Sequence, residues 1–104
     1  MCDTSYKLKK EHLVFRDDLE IDEEEGTVLA RFSIKHPLLS RLRIPVDMDV
    51  TCDRNGMSAE EMMDFDCFAV HLMPEERDAV RQLIDEELAK EGKGTLDEVL
   101  AEMN

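Results

Sequence analysis

The sequence predicts an α+β domain: a three-stranded antiparallel meander followed by two or three helices packed on one sheet face. Three observations carry this expectation. Leu42 to Cys52 alternates apolar and polar residues. Two earlier alternating runs flank a short glycine-containing turn. From Pro74 onward the apolar spacing becomes helical.

Side chains on a strand point alternately to opposite faces, so a period of two gives one dry face and one wet face. Leu42, Ile44, Val46, Met48, Val50 and Cys52 form the dry set, with Arg43, Pro45, Asp47, Asp49 and Thr51 between them. Proline cannot donate to a sheet ladder, so Pro45 predicts an edge strand or a position whose N–H points away from its neighbour.

The remaining elements follow in order. Residues 1–10 carry Lys7, Lys9 and Lys10 and read as a flexible basic segment ahead of a single domain over 11–104. Residues 12–22 alternate through Leu13, Phe15, Leu19 and Ile21, with Asp17 interrupting as a bulge or strand end. Glu23, Glu24, Glu25 and Gly26 make a charged turn. Residues 27–35 then alternate through Val28, Ala30, Phe32 and Ile34, which completes a β-hairpin. His36-Pro37 ends the second strand, and Leu38, Leu39 and Ser40 connect to the third.

Asp53-Arg54-Asn55-Gly56 is strong turn chemistry. Ser58 followed three residues later by Glu61 has capping-box spacing, which favours a helix start. Ala59, Met62, Met63, Ala69, Val70 and Met73 share a helical face that Asp66 spoils, and a helix is expected there. Residues 65–72 also have the character of a buried strand. Pro74 suits the first position of the next helix, and Glu75 and Glu76 suit the positive end of its dipole. Val80, Leu83, Ile84 and Leu88 give the apolar stripe of a helix over 75–91, which Gly92 stops. Thr95 to Glu98 repeats the capping-box spacing, and Leu96, Val99, Leu100 and Met103 form a last short stripe.

A chain of 104 residues with 42% hydrophobic content has material for one modest core. It lacks Trp, so that core rests on aliphatic residues, seven Met and four Phe. The formal charge is −13, and it is unevenly placed. Residues 1–45 hold eight Lys/Arg against nine Asp/Glu, whereas residues 46–104 hold five against seventeen. Such a field repels nucleic acid and anionic membrane and attracts a basic protein surface. Three cysteines without a paired framework predict reduced thiols. MCDTSYKLKK lacks the apolar core of a signal peptide, and no apolar run has the ~20 residues of a membrane span. A cytoplasmic setting is expected.

Motifs for catalysis are missing. There is no G-x-S-x-G, and four glycines in the whole chain make no phosphate loop. Cys67 and His71, four apart, would need Cys52, His12 or His36 to complete a zinc site, and no C-x-x-C pair accompanies them. Asp47 and Asp49 point one way with Asp53 nearby, as carboxylates for Mg²⁺ or acid–base work would. A calcium loop fails, because with Gly56 sixth the first position is Thr51 and the twelfth Met62. No cofactor is expected.

Arg31, Lys35, Arg41 and Arg43 are expected on the wet sheet face, with Arg16 and His12 joining them. Few aromatics accompany them to stack bases, and local salt bridges to Asp47, Asp49 and Glu20 suffice to explain them.

The acidic set is the most distinctive feature. Its expected partner-binding members are Glu23, Glu24 and Glu25 in the hairpin, with Asp47, Asp49, Asp53, Glu60, Glu61 and Asp64 around the central turn. Carboxylates on a rigid scaffold can imitate DNA phosphates and occupy the cationic groove of a nucleic-acid-handling protein. In size and charge the chain resembles small phage or mobile-element accessory proteins, DNA-mimicking inhibitors among them. The leading expectation is a small non-enzymatic interaction protein for a basic partner. Two alternatives are an antitoxin-like or helper subunit docking through its apolar C-terminal helices, and a small metal-binding protein. A homo-oligomer joining the basic sheet face to the acidic helices is also compatible with the charge pattern.

Overall fold

A computed structural model of the chain describes residues 8–43, 45–63 and 66–103. It has a six-stranded antiparallel sheet with helices on one face. The strands are β1 (Leu13–Phe15), β2 (Glu20–Asp22), β3 (Thr27–Ile34), β4 (Val46–Asp53), β5 (Gly56–Met63) and β6 (Asp66–Val70). The helices are α1 (Pro37–Leu42), α2 (Pro74–Lys90) and α3 (Leu96–Glu102). A 3₁₀ turn over Lys10–His12 precedes β1.

β1 and β2 are one strand broken around Asp17, and both pair with β3. From β3 the order runs through β4 and β5 to β6. The registers Val28↔Cys52, Ala30↔Val50 and Phe32↔Met48 align the dry residues of β3 and β4 on one inner face. All eight inward residues of these two strands are buried. Val80, Ile84 and Leu88 of α2 and Leu96, Val99 and Leu100 of α3 complete the same core. Burying one such side chain contributes about 1.5–3 kcal/mol, so this layer dominates stability.

Local chemistry fixes the helix ends. Met73 N–H donates to Glu76 Oε1 at 2.8 Å, and Leu8 N–H donates to the other oxygen at 3.1 Å. Glu76 thereby ties the start of α2 to the buried Leu8. Gly92 adopts φ +73° and stops α2, with Lys93 N–H donating to the Leu88 carbonyl at 2.9 Å. Thr95 and Glu98 form the expected capping box, at 3.2 and 2.9 Å. Asp85 Oδ1 accepts from Leu96 N–H at 2.8 Å, which anchors α3 to α2.

Three expectations need correction. First, the helix expected from Ser58 is two strands. β5 pairs with β4 along its whole length, from Asp53↔Gly56 to Val46↔Met63, and β6 pairs with β5. The tight turn returns the chain along β4, whose second edge would otherwise leave its backbone groups unpaired. That requirement outweighs the capping-box signal. Second, the strand expected over 42–52 begins at Val46, because residues 37–42 form α1. Pro37 is its first residue, and Arg43 beyond it turns left-handed at φ +57°. Third, β4 is central and not an edge strand. Pro45 precedes the paired residues, so its missing N–H costs no ladder bond. Of residues 1–10, those described are 8–10, and Lys10 forms an ion pair with Glu86 of α2. Among the described residues no helix is long and apolar enough to cross a membrane.

Candidate functional site

The outer face of the sheet carries the polar residues of β3, β4 and β5. Cross-strand register sets them in rows: Ser33–Asp47–Met62–Cys67 and Arg31–Asp49–Glu60–Ala69. Arg16, just past β1, reaches over both rows. Its Nη1 lies 3.6 Å from Asp47 Oδ2 and 3.8 Å from Asp49 Oδ1. Arg31 Nη1 pairs with Glu20 Oε2 at 2.8 Å, and its Nε lies 3.8 Å from Asp49 Oδ2. Ser33 Oγ donates to Asp47 Oδ1 at 3.3 Å. Three carboxylates thus face two guanidiniums, and with Glu60 in the same row as Asp49 the patch keeps a negative excess.

Asp49 sits deepest in this patch. Desolvation raises its pKa above 3.8, Arg31 and Arg16 oppose the rise, and Asp47 and Glu60 add to it. Its Oδ1 is buried without a hydrogen-bond partner among the described residues. Of the expected basic face, Arg16 and Arg31 lie on the outer surface of the sheet, and Lys35 follows β3 with the same parity. Arg41 lies on α1 and Arg43 follows it. The salt bridges to Asp47, Asp49 and Glu20 are the arrangement found.

The expected partner-binding residues separate into groups. Asp47, Asp49 and Glu60 share the outer face. Asp53 lies at the end of β4, where its Oδ1 accepts from Asn55 N–H at 2.8 Å and Gly56 N–H at 2.9 Å. This carboxylate holds the β4–β5 turn, and Gly56 completes it at φ +150°, which other residues rarely adopt. Glu61 belongs to the opposite face, because it stands one position from Glu60 and pairs with Met48. Asp64 lies outside the described residues.

Glu23, Glu24 and Glu25 form the β2–β3 turn and are exposed. Asp22 Oδ1 accepts from Glu24 N–H and Glu25 N–H, both at 3.1 Å. Gly26 closes the turn at φ +69°, its N–H donating to the Asp22 carbonyl at 2.9 Å. Among the described residues no cation lies at ion-pair distance from these three glutamates. The sheet register brings this turn and the Asp53–Gly56 turn to the same end of the sheet.

The cysteines do not converge. Cys52 is buried on the inner face, whereas Cys67 is exposed on the outer face. Burial pushes the Cys52 thiol up to about 12. The Cys67 thiol is raised by desolvation first, then by Glu60 and Asp49. Neither environment favours the thiolate that metal binding or nucleophilic attack requires. The rings of His12 and His36 meet at a tilt of 58° with centroids 4.6 Å apart. Their Nδ1 atoms accept from Lys9 N–H and Leu38 N–H, at 3.0 and 3.1 Å. Among the described residues no group of three or more His, Cys, Asp or Glu could hold a metal ion.

Sequence reading missed that several carboxylates serve backbone N–H groups. Asp22 and Asp53 hold turns, and Glu76 and Asp85 anchor helix starts. The signal for the two turns was present, since Asp two or three residues ahead of Gly or a turn N–H favours such bonds. Asp85 gives no local signal, because its partner lies eleven residues on. Comparison with known proteins finds no matching family model, no similar curated protein and no similar solved structure.

Proposed function

We propose that this chain is a non-enzymatic interaction protein that engages a basic partner, of the kind that handles nucleic acid, through its carboxylates. The observation that carries the reading is the β2–β3 turn. Three consecutive glutamates are exposed on a backbone pinned by Asp22, and no described cation neutralises them. Asp47, Asp49 and Glu60 extend the negative surface along the outer face, where Arg16 and Arg31 compensate them in part. Fixed carboxylates cost a partner less ordering entropy than flexible ones, and their field speeds encounter with a cationic groove. The apolar stripes of α2 and α3 lie in the chain's own core, which disfavours docking through them.

Affinity capture from host lysate at low salt, with salt elution and mass spectrometry, tests this. A basic nucleic-acid-binding protein released by salt and displaced by added DNA supports it. A partner held in high salt contradicts it.

A further inference from the structure

A cleft of about 460 Å³ opens between the β4–β5 turn and helices α2 and α3. Its floor is apolar: Cys52 and Met57 from the sheet, Leu96 and Leu100 from α3. Three arginines line it, Arg54 from the turn and Arg77 and Arg81 from α2. Arg77 and Arg81 are four residues apart, which places them on one side of the helix. Residues 46–104 hold only five Lys/Arg, and three of them meet here.

Two carboxylates also line the cleft, and both are engaged. Asp97 accepts from Arg81 Nη1 at 2.7 Å, and that bond holds the Arg81 side chain in place. Asp53 accepts the two turn N–H groups. Arg54 and Arg77 have no carboxylate at ion-pair distance among the described residues. The cleft is therefore a locally cationic site in a chain of formal charge −13. The larger cleft between the β2–β3 turn and α3, about 710 Å³, differs in sign, with Glu23 and Glu102 against Lys93.

We infer that this cleft binds a small molecule with an anionic head and an apolar body. Arg54 and Arg77 bind a phosphate or carboxylate head, and the body rests on Met57 and Leu100. A planar guanidinium offers paired donors that match both head groups, so two of them fix its position. The volume is that of a small-molecule site, and half of the lining residues are polar or charged, which suits a ligand with an anionic head. The Cys52 thiol is a floor atom and takes no covalent part. This site is independent of the acidic turn, and its occupant has the opposite sign from the proposed partner.

The test is an amide NMR titration of the whole chain with phenyl phosphate, with inorganic phosphate in parallel. Saturable shifts confined to residues 53–57, 77–81 and 96–101 are expected. Arg77→Gln and Arg54→Gln should each weaken phenyl phosphate by about tenfold with the remaining spectrum unchanged. Inorganic phosphate should bind about tenfold more weakly than phenyl phosphate, because it leaves the floor unused. Non-saturating shifts spread over the chain overturn the inference. So do equal affinities for wild type and Arg54→Gln, a turn variant that leaves the helix packing intact. Equal binding of the two probes overturns the role of the apolar floor.

Discussion

Asp47 and Asp49 face the guanidiniums of Arg16 and Arg31 at 3.6–3.8 Å, whereas Glu23, Glu24 and Glu25 have no described cation at ion-pair distance. Both groups are carboxylates on one rigid sheet. The difference is in what surrounds them. On the outer face, strands about 5 Å apart force acidic rows against basic ones, and the charges close on each other. At the turn the chain leaves the sheet, and only the backbone is engaged, through Asp22. Net charge therefore overstates the surface available to a partner. We propose that the compensated patch serves stability and the turn serves recognition.

That division can be broken experimentally. The largest effect is expected from reversing Glu23, Glu24 and Glu25 to Lys together. Affinity for the captured basic partner should fall about 100-fold, roughly 2.7 kcal/mol. Urea unfolding of the same variant should move by less than about 0.5 kcal/mol. A large stability loss with unchanged binding would exchange the two roles.

Asp53→Ala removes the acceptor of two turn N–H groups. Chemical denaturation should show a loss of about 1–2 kcal/mol, and partner affinity should change little. A loss of affinity without a loss of stability would return Asp53 to the recognition surface.

Arg31→Ala leaves Glu20 without its pair and Asp49 with Arg16 alone. About a third of the Arg31 side chain is exposed, so screening limits the expected loss to about 0.5–1 kcal/mol. Raising salt should shrink this difference between wild type and variant.

Asp49→Asn gives the smallest effect, and pH isolates it. The folded pKa of Asp49 lies above 3.8, so the native state holds this proton over a window where the unfolded state has lost it. Stability attributable to Asp49 therefore falls as pH rises through that window, then levels off. Denaturation of wild type and Asp49→Asn at several acid pH values should show the difference drifting against wild type as pH rises. A difference that moves the other way would mean that Arg16 and Arg31 outweigh the desolvation.

The same contrast explains what the sequence made legible. β3 and β4 alternate cleanly because helices cover one face and water the other, so Val28 to Ile34 and Val46 to Cys52 carry a visible period of two. The helix over 75–91 is visible for the same reason, with Val80, Ile84 and Leu88 all buried. β6 has no buried residue, and its Phe68 is 47% exposed. Without a fully dry face no burial period is imposed on β6, and the apolar residues of 59–73 fit a helix as well as a strand. Leu42 had the parity of a strand residue, yet Pro37 starts a helix through it. At the candidate site, the strand parity of Asp47 and Asp49 was readable, but their pairing with Arg16 depends on β3 lying between β1 and β4. The placing of Glu61 on the other face followed only once residues 56–63 were known to be a strand.

We propose that recognition rests on the uncompensated turn. The most direct measurement is affinity for the captured basic partner against salt concentration, for wild type and for the triple Glu23, Glu24 and Glu25 reversal. Wild-type affinity should fall steeply as salt rises, and the variant should start weaker with a shallower slope. Superimposed curves for the two proteins would contradict the account.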